Sequence, residues 1–535
     1  MTSDTDRYHH RRWLGLAAIS VGVALIIMDA TIVSVAMPSV IDDLELSTTQ
    51  VQWVQEVYTL VFAALLMVWG TTADRLGRRR VLVAGLALFT VASVLCAFAP
   101  SGTWLVAARA LQGVGGSMIL PTTLALLNAT FRGKERAVAF AVWGATIGSM
   151  AAVGPVLGGW LTSSLSWHWA FWINVPFGIA VVALLYRSVP ESKQETTAPF
   201  TDWVGAVASV LGFGLLVFGL IEGRSYGWWT PEEDAPASVG ELSLIPVVFL
   251  ASAIVLTLFV LWEKRRVQAG RSVLLDVTLF GIPSFSNGNV TALTVSLGEF
   301  GLILSLPLWF QYVRGMDALH AGFALLPLAV GSFLASGGVR SMSERMTPLQ
   351  LVRLGLVLEI GGLAALALLV RPDSGAWVTG VPLFVYGMGV GFATAQLTQL
   401  ILAEVPVDRS GQASSTQSTA RQVGSALGIA ILGTALFTTL RSGLQDRLAE
   451  QIAANPQLGE LAKAVANSSG ALIEPLSADP STAFVAEAAR EALTQGVSVA
   501  AWVGIVALVV GFLTTVPLAR TLAARTPAGR ADQED

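Results

Sequence analysis

The sequence contains one charged stretch, set between two long apolar runs, that reads Gly70-Thr71-Thr72-Ala73-Asp74-Arg75-Leu76-Gly77-Arg78-Arg79-Arg80. The apolar runs on either side cover residues 50–72 and 81–98. A helix that crosses the hydrocarbon core of a bilayer needs about 20 mainly apolar residues, and both runs are close to that length. The stretch therefore predicts two membrane-spanning helices joined by a short charged turn in water.

The composition places the whole chain in the membrane. Of its 535 residues, 54% are hydrophobic and 13% are charged, and the mean hydropathy is +0.66. Soluble domains carry about 25% charged residues, so this chain has too little charge to cover a soluble surface. The sole cysteine, Cys96, lies inside an apolar run, which excludes a disulfide framework and a thiol metal site.

The length criterion applied along the chain predicts an all-α integral membrane protein with fourteen membrane-spanning helices. The predicted spans are residues 13–37, 50–72, 81–98, 103–127, 137–161, 170–186, 203–221, 242–262, 290–310, 321–339, 351–370, 377–402, 414–440 and 497–519.

The distribution of basic residues predicts the orientation of these spans. Arginine and lysine are concentrated in loops that share one side of the predicted membrane, namely residues 7–12, 75–80, 132–136 and 264–271. The loop at residues 38–49, on the other side, has no basic residue. Because short loops rich in basic residues stay in the cytoplasm, we expect both termini to be cytoplasmic. We expect the protein to reside in a bacterial cytoplasmic membrane.

Repeated patterns predict the domain organisation. A charged turn followed by a glycine-striped span occurs at residues 131–159 and again at residues 408–433. Two homologous halves that meet at the midplane are common in transporters. We therefore expect six-helix halves at residues 1–190 and 271–535, with two inserted helices in residues 191–270.

A long polar loop at residues 441–496 is external in this topology, and its pattern predicts short amphipathic helices at 444–452 and 484–493. It is either a passive cap or a lid over the cavity.

Five stretches resemble signatures of one family, the major facilitator superfamily, and within it the fourteen-helix drug:proton antiporter branch (EmrB/QacA-like multidrug exporters). The loop at residues 70–80 resembles G-x-L-A-D-R-x-G-R-R/K-R/K, with Thr72 in place of leucine. Met28 to Pro38 is similar to L-D-x-T-I-V-N-V-A-L-P, and Arg109 to Gly115 is similar to R-x-x-Q-G-x-G. The glycines of residues 148–159 resemble the family's antiporter motif. Trp167 to Gly178 is similar to W-R-W-x-F-x-I-N-V-P-x-G, with His168 in place of arginine. Family-like patterns at Leu325 to Gly331 and Gln422 to Leu432 carry the resemblance into the second half, so that it covers nearly the whole chain.

The resemblance implies the major facilitator fold and export of lipophilic, cationic drugs or toxic compounds in exchange for protons. It implies small molecules and protons as partners, with the lipid bilayer as surroundings, and a proton gradient instead of a cofactor as the energy source. A monomer is expected, with no nucleic-acid partner. A dedicated exporter of one endogenous metabolite or a lipid stays open as the alternative. A sensor that no longer transports and a membrane-embedded enzyme are less favoured.

Ionisable residues inside the predicted spans are the candidates for proton coupling, since each costs about 2.5–3.5 kcal/mol to insert. Asp29 lies well within the first span, where loss of water favours its neutral form. Arg109 cannot realistically lose its proton, and the family associates it with coupling. An Asp29–Arg109 salt bridge, or a structural hub of Arg109 with Gln112, is the alternative. Glu299 in the ninth span is a third candidate, whereas Glu359 in the eleventh is expected on a peripheral helix, in a structural or lateral-access role.

The remaining site predictions concern binding and gating. Residues expected to bind substrate are Asp29, Glu299, Gln112, Tyr58, Trp143 and Tyr386. Residues expected to latch the halves or to seal them flexibly are Gly70, Asp74, Arg75, Gly77, Arg78, Arg79, Gly154, Pro155 and Gly158. The four histidines (His9, His10, His168 and His320) show no metal-ligand spacing, and no ATP-binding G-x-x-x-x-G-K-[ST] loop is present. We therefore expect neither a metal centre nor an enzyme.

Overall fold

The computed structural model describes residues 2–193, 202–232, 235–343 and 345–525. This part of the chain is almost entirely helical. Its extended structure is one two-stranded antiparallel hairpin, β1 (Ser238–Val239) and β2 (Leu242–Ser243), which joins two helices.

The first half of the chain forms seven helices. They are α1 (Thr2–Leu44), α2 (Thr48–Leu76), α3 (Arg78–Ala97), α4 (Gly102–Thr130), α5 (Gly133–Ser164), the single turn α6 (Trp169–Trp172) and α7 (Asn174–Ser188). The turn between α2 and α3 is a single residue, Gly77, whose φ of +112° is a backbone conformation that glycine adopts far more readily than other residues. The chain therefore reverses sharply there and presents the charged stretch on one end of the bundle, here called the basic side.

Two helices follow, α8 (Trp203–Tyr226) and α9 (Leu244–Gln268), and pack against each other. The pair also packs along the junction of the two halves, because α8 contacts both α2 and a helix of the second half, α14 (Ser410–Arg447). Gln52 on α2 donates a hydrogen bond to Ser225 at 3.4 Å. Trp228, just beyond α8, donates one to Thr434 on α14 at 3.2 Å. This pair of helices thus bridges the first and second halves of the chain along one edge.

The second half contains the remaining helices. They are a 3-10 turn (Val277–Gly281), α10 (Pro283–Leu308), a π-helical turn (Trp309–Val313), α11 (Ala318–Met342), α12 (Pro348–Leu369), α13 (Ala376–Leu402), a 3-10 turn (Val407–Arg409), α14 (Ser410–Arg447), α15 (Ala449–Ala454), α16 (Gln457–Asn467), α17 (Ile473–Ala478) and α18 (Ala483–Arg525).

Thirteen of the described helices are long and apolar enough to cross a membrane, and α5 makes fourteen when its two segments are taken as one span. The prediction of an all-α membrane protein with about fourteen spans is confirmed. The segments of α5 meet at an angle of 43°, between Met150 and Val153. Pro155 explains this bend, because its ring conflicts with the carbonyl of residue 151 and it cannot donate the usual helical hydrogen bond.

The prediction of separate amphipathic helices at residues 444–452 and 484–493 is wrong. The first stretch is divided between the end of α14 and α15, and the second forms the opening turns of α18. Both long helices continue beyond the predicted spans because buried side chains such as Leu444, Val485 and Leu493 pack in one core with Val465 of α16. The segment forms a compact helical cap over α14, α18 and the π-helical turn. Whether this cap acts as a lid stays a prediction.

Candidate functional site

The first half buries an ion pair at its centre. The Nη1 of Arg109 on α4 lies 2.5 Å from the Oδ2 of Asp29 on α1. The two side chains are 1% and 0% exposed. The other carboxylate oxygen of Asp29 accepts hydrogen bonds from the amides of Gln112, at 3.1 Å, and Asn174, at 2.8 Å. The structure therefore brings together three of the predicted residues and satisfies both oxygens of the carboxylate.

Arg109 is held by further contacts on α2 and α4. Its Nη1 also donates to the amide oxygen of Gln112 at 2.8 Å, which the spacing of three residues on one helix allows. Its Nε donates to the carbonyl of Val54 at 3.3 Å. The guanidinium carbon lies 4.5 Å from the ring centroid of Tyr58, a cation–π contact. Tyr58 and Gln112, both predicted to bind substrate, are thus buried members of this network.

Sequence reasoning missed two members of the network, Ser93 on α3 and Asn174 at the start of α7. The hydroxyl of Ser93 accepts hydrogen bonds from the amides of Gln112, at 2.9 Å, and Asn174, at 3.3 Å. Asn174 had a usable signal, because it is a polar residue inside a family-like apolar stretch. Ser93 had none, since single serines are common in membrane helices. In this conformation Asp29 forms the salt bridge with Arg109 that the sequence analysis gave as the alternative to a proton-carrying role.

The second half buries a comparable cluster around Glu299 on α10. Its Oε1 accepts a hydrogen bond from the hydroxyl of Thr394 on α13 at 3.1 Å. Its Oε2 lies 3.4 Å from the Nη2 of Arg421 on α14. The side chains of Glu299 and Arg421 are 6% and 13% exposed. Arg421 was not among the predicted site residues, although it is a charged residue inside a predicted span.

Glu359 on α12 belongs to the same cluster. It is fully buried, and an ideal Cβ on Gly389 of α13 would come within 2.6 Å of its Cγ. Neither of its carboxylate oxygens has a hydrogen-bond partner among the described residues. The charges of Glu299 and Arg421 both act on it. Glu359 therefore faces the interior of the second half, although the sequence suggested a peripheral position.

Tyr386 on α13 completes this cluster, which we call the second-half acidic cluster (Glu299, Glu359, Tyr386, Thr394 and Arg421). Its side chain is 2% exposed, and its hydroxyl also has no hydrogen-bond partner in the part of the chain that the structure describes. Both glutamates act on this hydroxyl electrostatically. Tyr386 was predicted to bind substrate, and that role stays a prediction.

The charged stretch on the basic side latches the two halves together through Asp74. Its carboxylate accepts two hydrogen bonds from Arg78, at 2.9 and 2.7 Å. It also accepts the backbone N–H groups of Gly411, at 2.9 Å, and Gln412, at 3.1 Å. These two groups are among the unpaired donors in the first turn of α14, where a negative charge is favourable. Arg78 adds a bond of 2.8 Å to the carbonyl of Val407 in the second half.

The other predicted gating residues of this stretch have different positions. Gly70 lies directly against α14, where a Cβ would overlap Ser415 and the carbonyl of Gly411. Gly77 forms the turn, and Arg79 donates to the carbonyl of Val189 at 3.1 Å, within the first half. Arg75 is half-buried in the last turn of α2. Among the predicted gating residues of this stretch, Gly70, Asp74 and Arg78 make the contact across the halves.

The glycines of α5 serve two different packing contacts. A Cβ on Gly154 would overlap the hydroxyl of Thr31 on α1, and one on Gly158 would lie 3.1 Å from the carbonyl of Ile32. By contrast, Gly148 faces Ser332 and Gly159 faces Leu319, both on α11. Gly154 and Gly158, predicted to form a flexible seal, pack against α1 of their own half, and their role in gating stays a prediction. They allow α5 to approach α1 beside Asp29, and the contact across the halves uses Gly148 and Gly159.

The packing of Gly154 gives a stability prediction. The Cβ introduced by Gly154→Ala would lie 2.9 Å from the Thr31 Cβ, so rotation of the Thr31 side chain cannot remove the conflict. Overpacking of this kind costs about 1–3 kcal/mol. We expect the apparent melting temperature of the purified variant to fall. Gly361→Ala is the matched control, since its Cβ would meet nothing within 4 Å. Equal melting temperatures for the two variants would contradict this packing.

Trp143, also predicted to bind substrate, is 1% exposed. Its indole N–H donates to the hydroxyl of Thr123 on α4 at 3.2 Å, so it joins α4 to α5. Its role in binding stays a prediction. No group of three or more side chains suited to holding a metal ion occurs among the residues searched, which are the described ones.

Comparisons with known proteins agree with this architecture. Residues 19–429 match the profile of the Major Facilitator Superfamily. The chain is 34% identical to the "Multidrug efflux pump LfrA" of Mycolicibacterium smegmatis over 83% of its own length and 84% of that protein. It is 34% identical to the "Probable actinorhodin transporter" of Streptomyces coelicolor over 81% and 74% of the two chains. It is 30% identical to the "Tetracenomycin C resistance and export protein" of Streptomyces glaucescens over 82% of its own length and 79% of that protein.

A solved structure shows the same fold at low sequence identity. The human organic anion transporter MFSD10 (TETRAN) superposes with a TM-score of 0.55 at 13% identity, over 93% of this chain and 99% of that one. The predictions of a transporter instead of an enzyme, and of the major facilitator fold, are confirmed by the family profile and by these relatives. The chain belongs to the major facilitator superfamily, and the proteins similar to it include multidrug and antibiotic efflux transporters.

Proposed function

We propose that this protein exports lipophilic, cationic compounds across the bacterial cytoplasmic membrane in exchange for protons. The observation that carries the proposal is the buried Asp29–Arg109 ion pair. Two charges sealed from water are unfavourable unless they are well paired, and ionisable residues in membrane helices commonly mark ion pathways. A proton on Asp29 would weaken the pair, because only the ionised carboxylate attracts the guanidinium.

The position of Asp29 suggests how protonation is coupled to movement. Its neighbours on α1, Met28 and Thr31, pack against Gly154 of α5. α5 bends near this level and contacts α11 of the second half through Gly148 and Gly159. A change in the charge of Asp29 can therefore alter the packing of α1 on α5, and through α5 the contact between the halves.

The topology follows from the charge distribution. The basic side carries the latch at Asp74 and Arg78, and loops rich in basic residues stay in the cytoplasm. We assign the basic side to the cytoplasm, with both termini on it. On this assignment the contacts of Asp74 and Arg78 with the second half hold the cytoplasmic ends of α2 and α14 together in this conformation. We propose that the protein works as a monomer driven by the proton gradient, without a cofactor.

Export of a single natural product is the second candidate. Two relatives at 34% and 30% identity are described as a probable actinorhodin transporter and as a tetracenomycin C resistance and export protein. These descriptions name particular compounds and not drugs in general. The coupling residues would be the same for either class of substrate, because Asp29 and Arg109 handle charge and do not define the shape of a substrate.

Efflux of ethidium from energised bacterial cells tests the proposal. We expect cells that express the wild-type protein to lose ethidium faster than control cells, and a protonophore to abolish the difference. Asp29→Asn, expressed at a matched membrane level, should show no efflux because its side chain cannot exchange a proton. Efflux by the wild type that persists with the protonophore would contradict proton coupling. Absence of efflux for ethidium, with export of a single natural product, would favour the second candidate.

A further inference from the structure

The second-half acidic cluster differs from the Asp29 network in its balance of charge. In the first half, one carboxylate, Asp29, faces one guanidinium, Arg109. In the second half, two buried carboxylates lie within electrostatic range of one guanidinium, Arg421, which pairs with Glu299 at 3.4 Å and makes no ion pair with Glu359. If both glutamates were ionised, the buried cluster would carry one uncompensated negative charge. Such a charge is strongly unfavourable away from water.

The hydrogen bonds show the same contrast. Asp29 accepts bonds from Arg109, Gln112 and Asn174. Asp74 accepts bonds from Arg78 and from two backbone N–H groups. Buried carboxylates with a structural role are satisfied in this way. Glu359 accepts none from the described residues, although it is as deeply buried as Asp29. A purely structural role therefore does not explain it.

The unpartnered hydroxyl of Tyr386 is an independent feature of the same place. It lies on α13, which packs against α12, and both glutamates act on it. A protonated carboxyl group offers one O–H donor and keeps an acceptor oxygen, whereas an ionised one only accepts. Glu359 and Tyr386 make no hydrogen bond to each other in this conformation, so an uncharged, protonated Glu359 fits these surroundings better than an ionised one. The charged and titratable groups that face Glu359 in the described chain are Glu299 on α10, Tyr386 on α13 and Arg421 on α14.

We propose that Glu359 and Glu299 together bind one exchangeable proton, and that the second-half acidic cluster is a second proton site of the transporter. The inference rests on the proposed function and extends it from the first half to the second. With one proton bound, the cluster holds one negative and one positive charge. Loss of that proton to water leaves a net negative charge, which a cationic substrate can neutralise. Proton and cation would then occupy the cluster alternately, one positive charge replacing another.

Infrared difference spectroscopy tests the site directly. The purified full-length protein, reconstituted in lipid nanodiscs, is exposed to stepwise changes of pH, and the carbonyl stretch of protonated carboxylic acids is recorded. We expect the wild type to show a band that disappears as pH rises, and Glu359→Gln to lack it. In Glu299→Gln the remaining Glu359 faces Arg421 alone, so its band should disappear at lower pH. Glu460→Gln, a change at an exposed side chain, is the control and should keep the wild-type band.

A second variant, Tyr386→Phe, controls for misfolding of Glu359→Gln. Tyr386→Phe keeps the aromatic ring and removes only the unpartnered hydroxyl, and we expect it to shift the frequency of the band without removing it. A band that is unchanged in both Glu359→Gln and Tyr386→Phe would overturn the proposal. The proposal is also overturned if Glu359→Gln loses the band only because that variant has unfolded, while Tyr386→Phe shows the same band as the wild type.

Transport separates this inference from the proposed function. Ethidium uptake driven by a pH gradient is measured in proteoliposomes that contain the wild type or Glu359→Gln. If the wild type shows no such uptake, proton-coupled export fails, while the infrared band still decides whether the cluster binds a proton. If the wild type takes up ethidium and Glu359→Gln equals it, the second proton site is overturned. We expect uptake by Glu359→Gln to fall to that of protein-free liposomes.

Discussion

Arg109→Ala is expected to abolish export and to destabilise the protein. The substitution leaves the Asp29 carboxylate buried with only the amides of Gln112 and Asn174 as partners. Removing one member of a buried ion pair costs about 3–5 kcal/mol, because the remaining charge is uncompensated. The measurements are ethidium efflux from cells, at matched membrane levels, and the apparent melting temperature of the purified variant.

A double variant separates the structural role of the pair from its role in transport. In Asp29→Asn/Arg109→Leu no charge is left buried, so we expect the melting temperature to recover most of the loss seen in Arg109→Ala. Export should remain absent, since neither side chain can respond to protons. If the double variant exports ethidium as well as the wild type does, the pair is only structural. Normal export by Arg109→Ala would equally contradict its role in coupling.

Asp74→Ala is expected to open the basic side. The substitution removes the acceptor for Arg78 and for the N–H groups of Gly411 and Gln412. Each hydrogen bond to a charged group contributes about 1.5–3 kcal/mol, and loss of even about 1.4 kcal/mol changes a population tenfold. The readout is maleimide labelling of a cysteine introduced by Thr416→Cys, a buried position on α14 near this contact. The native Cys96 is fully buried and gives little background.

Arg79→Ala is the matched control for the latch. Arg79 belongs to the same charged stretch, but it bonds to Val189 of its own half and not to α14. We expect Asp74→Ala to increase labelling about tenfold or more and Arg79→Ala to leave it near the wild-type level. Equal labelling of the two variants would show that basic charge in general, and not the contact of Asp74 with α14, keeps this side closed.

The sequence predicted some of these functional residues and contacts and missed others. The charged stretch was recognisable because its glycines and charges follow a family pattern, and the contact of Asp74 with α14 is a consequence of that pattern. Asp29 and Arg109 stood out as charges in apolar spans. Their partners Ser93 and Asn174 did not, because a small polar residue in a membrane helix has many ordinary explanations.

Glu359 shows why the second half was harder to predict. Its helix is apolar on all sides, so no periodic pattern indicates which face points inward. The helix order suggested a peripheral position, and only the packing of α12 against α13, where Glu359 lies against Gly389, shows that the carboxylate is buried inside the second half. Similarly, hydropathy could not reveal that α14 and α18 continue past the predicted spans, because helical structure does not have to end where the apolar run ends.

The most direct test of the proposed function is ethidium transport by the purified protein in proteoliposomes with an imposed pH gradient. Ethidium is a permanent cation, so a pH gradient alone cannot trap it inside protein-free liposomes. Proton-coupled exchange predicts that ethidium accumulates when the interior is acidic, and that a protonophore or Asp29→Asn prevents the accumulation. Ethidium uptake that is the same with and without the pH gradient would contradict proton-coupled export.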